Sequence, residues 1–487
     1  MNAAAVAAAR RGELARPLVI DLDGTLVRSD LLHESIVRLV FRKPELLWAM
    51  LQWLLRGKAF FKQQVASQTQ LDTDTLPYEP ALVDWIRGER ESGRSVVLCT
   101  ASDSRYAEQV AKATGLFDDV MASDGTTNLS AHHKADALVQ RYGRGGFDYA
   151  GNSRADIPVW SVSHSAIVVG AGASIRAAAA NVAPVEREIA RPAPPWRAWV
   201  SALRLRQWVK NVLVFLPLVG AHQFTNLPMA ITVALATLAF CLCASSVYLV
   251  NDLLDIESDR RHPRKRLRPF AAGVLSIPQG LVVSLLLVVA AFGLAFGGVN
   301  LEFAAWLAAY LAVTACYSFW LKRKMLVDSL VLAGLYTLRV LAGGAAAGLP
   351  PGFWLLAFSM FLFLSLALVK RYSELRQTFL RGRARTPGRD YMVEDLPLVE
   401  MLGIASGFTA VLVLAMYING DTVTRLYPHQ QLIWLTVPVM LYWVSRLWLK
   451  AHRGELDDDP IVFALRDRLS QVTILLFFGA LLLASLT

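Results

Sequence analysis

Cysteine is scarce in this chain, and the few present form no pattern. Cys99 lies in a short apolar run, and Cys241, Cys243 and Cys316 lie in longer ones. Neither a secreted disulfide framework nor a metal-ligand spacing can be drawn from them, which implies a reducing, cytoplasmic side. Charge is scarce as well: Asp, Glu, Lys and Arg make up 18% of the residues, against 55% hydrophobic ones. A secretory leader is also missing, because "MNAAAVAAARRGELARP" is too weakly apolar to act as one. The N-terminal region is therefore expected to stay in the cytoplasm.

What fills the space instead is a series of apolar runs long enough to cross a bilayer. They are confined to one part of the chain. Residues 1–195 read as a soluble α/β protein, while residues 208–487 alternate apolar spans with short polar loops. Nine spans are expected, at about 209–222, 228–250, 279–298, 302–320, 326–348, 353–370, 401–418, 430–449 and 471–486. The first is short and contains Pro217. The net charge of +10 would suggest a nucleic-acid partner in a soluble protein. Here the bases gather in alternate loops, "NDLLDIESDRRHPRKRLRP", "KRK", "KRYSELRQTFLRGRARTPGRD" and "KAHRGELDDDPIVFALRDR", whereas the opposite loops together hold a single Arg. That is the positive-inside pattern of a multi-pass protein of a bacterial cytoplasmic membrane with its N-terminal domain inside. The expected partner is the lipid bilayer and not nucleic acid.

In the soluble part, "RPLVIDLDGTLVRSD" reads as a buried strand ending in Asp21-Leu22-Asp23-Gly24-Thr25. Carboxylates at the C-terminal end of a strand in an open α/β sheet point into the ligand crevice. At i and i+2 both project to one side of an extended chain. A lone DxDG is an ordinary surface turn, but here two further strands follow. "SVVLCTAS" places Thr100 at a strand end, "FDYAGNSRADIPVW" places Asn152 and Asp156 after another, and Lys134 opens a helix between them. In this order the motifs resemble the haloacid dehalogenase (HAD) superfamily of phosphohydrolases over roughly residues 17–170.

That resemblance implies an α/β HAD-like domain over 1–170, with a helical cap at about 26–95. It makes Asp21 the nucleophile and Asp23 the general acid/base, with Thr100 and Lys134 on the phosphoryl oxygens. Asp21, Asp23, Asn152 and Asp156 become the Mg²⁺ ligands or their support. The family usually has an acid where this chain has Asn152, and an amide oxygen brings less charge to a metal. Intact Asp21 and Asp23 favour a working phosphatase over a non-catalytic sensor, a reading that Asn152 keeps open. "ELLWAMLQWLLRGKAFF" is amphipathic, and its Trp/Leu face suits either a cap core or a bilayer surface. Adjacent His132 and His133 do not share a helix face and carry no metal reading.

Residues 171–200 are Ala/Pro-rich and are expected to be a linker, leaving 201–487 as the membrane domain. The densest charge in the chain, Asn251–Pro269, follows the second span directly. A plain positive-inside loop would explain its bases but not its order. Asn251, Asp255 and Asp259 recur at i, i+4 and i+8 on one helix face. Carboxylates at a membrane-helix end are costly without a partner or function, and three oxygen donors there suit Mg²⁺ with a diphosphate.

This pattern resembles the UbiA superfamily of intramembrane transferases. Ordinary members of that superfamily carry a second DxxxD motif, absent here except for Asp390 and Glu394 in a long loop. Instead "YSFWLKRKMLVD" brings Tyr317, Lys322 and Asp328, and "KRYSELR" brings Lys370, Arg371 and Tyr372. The loop and "LRLRQWVKNVLVFLPLVG" are similar to the decaprenyl-phosphate phosphoribosyltransferase branch.

The branch implies phosphoribosyl pyrophosphate (PRPP) as donor and a polyprenyl phosphate as acceptor, with one Mg²⁺ site in each domain. Asp252, Arg260, His262, Lys265, Arg266 and Arg268, together with Lys210, Asn211, Tyr317, Lys322, Asp328, Lys370, Arg371 and Tyr372, become candidate substrate-binding residues. The fusion implies that the HAD domain trims the 5-phosphate from the transferase product. Prenyl transfer to an aromatic acceptor is the competing reading. No motif encodes polyprenol length or oligomeric state.

Overall fold

Leu18, Val19 and Ile20 alternate between two apolar cores, one on each face of a sheet, which is why so short a run can be a central strand. This strand, β1 (Leu18–Ile20), leads into helices α1 (Leu31–Arg42), α2 (Leu47–Leu55), α3 (Lys58–Gln68) and α4 (Pro80–Glu91). The chain continues with β2 (Val96–Asp103), α5 (Ser104–Thr114), β3 (Asp119–Ser123), α6 (His132–Tyr142), β4 (Asp148–Gly151), β5 (Ser165–Val169), α7 (Ala173–Val182) and β6 (Val185–Ile189). The sheet is six-stranded and parallel, in the order β3-β2-β1-β4-β5-β6. The order reverses between β1 and β4, so a crevice opens beyond their C-terminal ends, the place where such sheets bind ligands. The computed structural model describes residues 16–192, 195–386, 389–420, 423, 427–456 and 460–485, so the N-terminal stretch judged too weakly apolar for a leader lies almost wholly outside them.

Two expectations about this half need correction. The segment expected to be a linker supplies α7 and the sixth strand, so the sheet runs to Ile189. The compact unit built on it also takes in Tyr248–Val283, the acid- and base-rich segment after the second span. That segment is fastened to the α/β fold by ion pairs. Arg260 clasps Glu34 at 2.9 and 2.6 Å, Arg261 meets Asp72 at 2.8 Å, and Glu257 pairs with Arg38. Gly273, at φ +67°, lies so close to Arg28 that a Cβ there would sit 2.7 Å from the arginine Cβ. The cap builds its own small core from Leu39, Met50 and Val65. The rest of the α2 apolar face is not covered: Trp48 is 71% and Leu55 89% exposed.

The second unit comprises Arg204–Val247 and the chain from Ser284 on. Among the described residues, eight helices are long and apolar enough to cross a membrane. They are α8 (Leu227–Leu254), α9 (Ile277–Leu294), α10 (Leu301–Phe319), α11 (Val327–Ala347), α12 (Phe353–Leu380), α13 (Leu396–Ile418), α14 (Thr436–Arg453) and α15 (Arg468–Ser485). The expected first span is not among them. Residues Leu205–Phe215 wind as a 3₁₀ stretch, followed by a short helix Leu216–Gly220 with Pro217 in its first turn, a position proline tolerates. Small polar residues pack the later helices closely. Ser365 of α12 donates to the Gly403 carbonyl on α13 at 2.7 Å and accepts from Trp448 of α14 at 3.1 Å.

Candidate active sites

A cavity of about 540 Å³ opens at the β1/β4 switch, with Asp21, Asp23, Lys134, Asn152 and Asp156 in its wall. Gly24 makes the turn after β1 at φ +75°, and a Cβ there would meet the Asn152 amide at 2.3 Å. At that φ glycine is the residue that sits without strain.

Lys134, buried at the start of α6, donates to Asp21 at 2.7 Å and to the Tyr149 hydroxyl at 2.9 Å. Tyr149 in turn donates to Asp156 at 2.8 Å. The other Asp156 oxygen accepts from the Asn152 and Ser153 backbone N–H groups and from the Ser153 hydroxyl, so Asp156 shapes the loop that carries Asn152.

Burial pushes the Asp21 carboxyl up to about 6, against the pull of Lys134. Burial and the nearby Asp30 push Asp23 up to about 7. For Lys134, burial opposes charge, but Asp21 and Asp156 raise it above the ordinary lysine range. One carboxylate beside a fixed cation and one poised to hold a proton near neutrality form the pair that nucleophilic phosphoryl transfer needs.

The raised Asp23 value has a stability consequence. An unfolded Asp loses its proton near pH 4, whereas folded Asp23 keeps it to about 7, so ionisation penalises the fold as pH rises through that window. Asp23→Asn is expected to raise the unfolding temperature at pH 8 in EDTA and to leave it nearly unchanged at pH 3. An equal shift at both values would refute this account.

Not every expected residue reaches the cavity. Thr100 is fully buried within β2, which runs on to Asp103, and its hydroxyl oxygen accepts from the Ser102 N–H at 3.0 Å. Of β2, it is Ser102 that reaches the cavity wall, where it donates to Asp23 at 2.6 Å. Sequence reasoning also missed Tyr149, the hub between Lys134 and Asp156. It missed Arg191 too, whose guanidinium donates to the Gly24 and Thr25 carbonyls at 2.7 and 2.9 Å and pairs with Glu79. His132 and His133 are exposed.

The aspartate stripe after α8 is bent. The helix ends at Leu254, and Asp255, at φ −94° and ψ 6°, starts a short helix Ile256–Arg260. Buried Asp252 and Asp259, seven residues apart, meet on one cation, with Arg268 donating to them at 3.1 and 2.7 Å. Asn251 and Asp255 remain partly exposed. Burial raises Asp259 to about 6, against the pull of Arg268. Arg260, expected on substrate phosphate, is instead committed to Glu34 and the Ala271 carbonyl. His262 accepts from the Arg264 and Lys265 N–H groups, while Lys265 and Arg266 are exposed.

Among the described residues, no group of three or more His, Cys, Asp or Glu side chains is placed to hold a metal. The donors present are all oxygens, Asp21 with the Asn152 amide in the cavity and Asp252 with Asp259 in the segment, and oxygen donors suit a hard cation such as Mg²⁺ better than zinc.

In the membrane unit, fully buried Asp328 joins Arg371 at 3.0 Å, Arg389 at 2.9 Å and the Tyr391 hydroxyl at 2.7 Å. Arg371 also pairs with Glu374, yet its buried Nη2 has no hydrogen-bond partner among the described residues. Tyr317 adds to this cluster through Arg389. Tyr372, next in sequence, turns to His452 and Trp448 instead. Lys322 and Lys370 are partly buried.

A second buried cluster holds Lys210 and Asn211. Asn211 accepts from Arg339 at 2.8 Å, and Lys210 lies 5.9 Å from the Tyr336 ring centre. Arg339, which also stacks on Tyr310, was missed, although a single Arg inside the apolar run "LAGLYTLRVLAGGAAAG" was a visible signal.

Comparison with known proteins bears on both halves. The UbiA prenyltransferase family profile matches residues 212–466. The uncharacterized protein y4nM of Sinorhizobium fredii is 36% identical over 471 residues, covering 96% of this chain and 89% of its own. Decaprenyl-phosphate phosphoribosyltransferase of Mycolicibacterium smegmatis is 32% identical over 290 residues, covering 58% of this chain and 90% of that enzyme. Among solved structures, a HAD family hydrolase from Salmonella enterica aligns with 36% of this chain and 66% of its own, at 13% identity and a TM-score of 0.27.

Proposed function

We propose a two-step enzyme, from the premise that this chain belongs to the UbiA prenyltransferase family. In the first step the membrane domain transfers 5-phosphoribose from PRPP to a polyprenyl phosphate. A lipid phosphate oxygen bonds to ribose C1 as the bond from C1 to pyrophosphate breaks, so no proton need move. The observation that carries this reading is the 32% identity to a decaprenyl-phosphate phosphoribosyltransferase over 58% of the chain. Buried Arg371, with an unpartnered nitrogen, adds support for an anion-rich substrate. Asn251, Asp252, Asp255 and Asp259 would hold Mg²⁺ for the pyrophosphate, and Lys265, Arg266 and Arg268 would take up its phosphate oxygens. The N-terminal domain and the basic loops are on the cytoplasmic face in this reading, as the charge pattern implies.

In the second step the α/β domain removes the 5-phosphate. Asp21 attacks phosphorus, the bond to the ribose oxygen breaks, and Asp23 gives that oxygen its proton. Water then attacks the aspartyl phosphate and passes a proton to Asp23, releasing inorganic phosphate and restoring Asp21. Lys134 fixes Asp21 and balances the phosphoryl charge, and Ser102 orients Asp23. Mg²⁺, held by Asp21 and Asn152, would add charge compensation for the incoming phosphate.

Purified protein with PRPP, Mg²⁺ and decaprenyl phosphate is expected to release pyrophosphate, and Asp259→Asn to slow that release by roughly 10²-fold or more. Turnover of a prenyl diphosphate with an aromatic acid, and none of PRPP, would replace this reading with its competitor.

A further inference from the structure

We infer that Phe270–Pro278 is the substrate-selecting wall of the phosphatase cavity, and that the cavity takes a phosphomonoester carried on an apolar chain. The inference rests on the phosphatase reading above and adds the wall that selects its substrate. Phe270, Leu275, Ile277 and Pro278 line the same cavity as Asp21, Asp23 and Lys134, although they lie more than a hundred residues beyond the last catalytic side chain. They belong to the segment that runs from the aspartate stripe into α9.

This wall is built in. Arg260 holds both Glu34 on the cap helix α1 and the Ala271 carbonyl, with 6% and 11% of the two paired side chains exposed. Gly273 lets the backbone press against Arg28, and Phe270 packs so tightly on Gly280 that a Cβ there would lie 2.7 Å from its ring. A phosphatase for a small polar ester gains nothing from an aliphatic and aromatic wall beside its carboxylates. A substrate whose phosphate enters among charges while its carrier is apolar gains the burial of that carrier, about 0.8 kcal/mol per methylene.

The test uses the full-length chain in nanodiscs and two probes differing only in their aglycone: methyl β-ribofuranoside 5-phosphate and dodecyl β-ribofuranoside 5-phosphate. For the wild type, kcat/KM is expected to favour the dodecyl probe by about 10-fold or more. Ile277→Asp, and separately the exposed Pro278→Asp, are each expected to bring that ratio towards one. Because the ratio is internal to each preparation, partial loss of folded protein cancels. A wild-type ratio of one, or a ratio unmoved in both variants, overturns the inference while leaving the phosphatase in place. Hydrolysis of neither probe, in wild type as in Asp21→Asn, overturns both together.

Discussion

Asp21→Asn is expected to make the 5-phosphorylated lipid accumulate in membranes supplied with PRPP and polyprenyl phosphate, with pyrophosphate release unchanged. The substitution keeps the size of the side chain and removes its nucleophilic oxygen. Loss of a nucleophile that works as a unit with its acid/base is expected to slow dephosphorylation by roughly 10³-fold or more. The fold should tolerate it. Lys134 exchanges a carboxylate oxygen at 2.7 Å for an amide oxygen and keeps the Tyr149 hydroxyl at 2.9 Å, and through it Asp156. Burial pushes the native carboxyl up, so the neutral amide also relieves a desolvation cost. Organic extraction of radiolabelled product, followed by acid hydrolysis and separation of ribose from ribose 5-phosphate, reads the outcome. Free ribose formed at the wild-type rate would remove the phosphatase assignment.

The parts of this protein that were legible in its sequence are those fixed by local pattern. Alternation in Leu18–Ile20 and the Asp-x-Asp-Gly turn suffice to place a strand end at a ligand crevice, and the apolar runs suffice for the helices α8 to α15. What was hidden depends on distance or on weak local signal. β6 is an edge strand whose three middle residues, Glu186, Arg187 and Glu188, are exposed, so it shows no apolar run and reads as linker. Thr100 and Ser102 lie two apart in one strand, and only the register of β2 beyond Cys99 decides which of them reaches the cavity. The docking of the aspartate-rich segment through Arg260 and Glu34 joins residues more than two hundred positions apart, which no spacing rule anticipates. The stripe Asn251, Asp255 and Asp259 assumed an unbroken helix. Asp252, seven residues before Asp259 and so on the same helix face, is the residue that joins Asp259 on Arg268.

The same limits apply to Asp328, whose importance in the sequence was a guess from its place at a span end. Its surroundings make Asp328→Asn the substitution expected to destabilise the membrane unit most. The native carboxylate is fully buried and shared by Arg371 and Arg389, with Tyr391 and Ser329 also donating to it. The amide leaves two guanidinium groups in a dry site with Glu374 as their remaining carboxylate. Breaking a buried ion pair from one side costs about 3–5 kcal/mol, whereas removing both partners together costs much less. Asp328→Asn should therefore lower the thermal unfolding midpoint of the detergent-solubilised protein sharply, and Asp328→Asn combined with Arg371→Met should recover part of that loss. Recovery is the informative outcome, because a cluster that merely fills space would lose further stability with each substitution. If the double variant is no more stable than the single one, Asp328 is not there to neutralise Arg371.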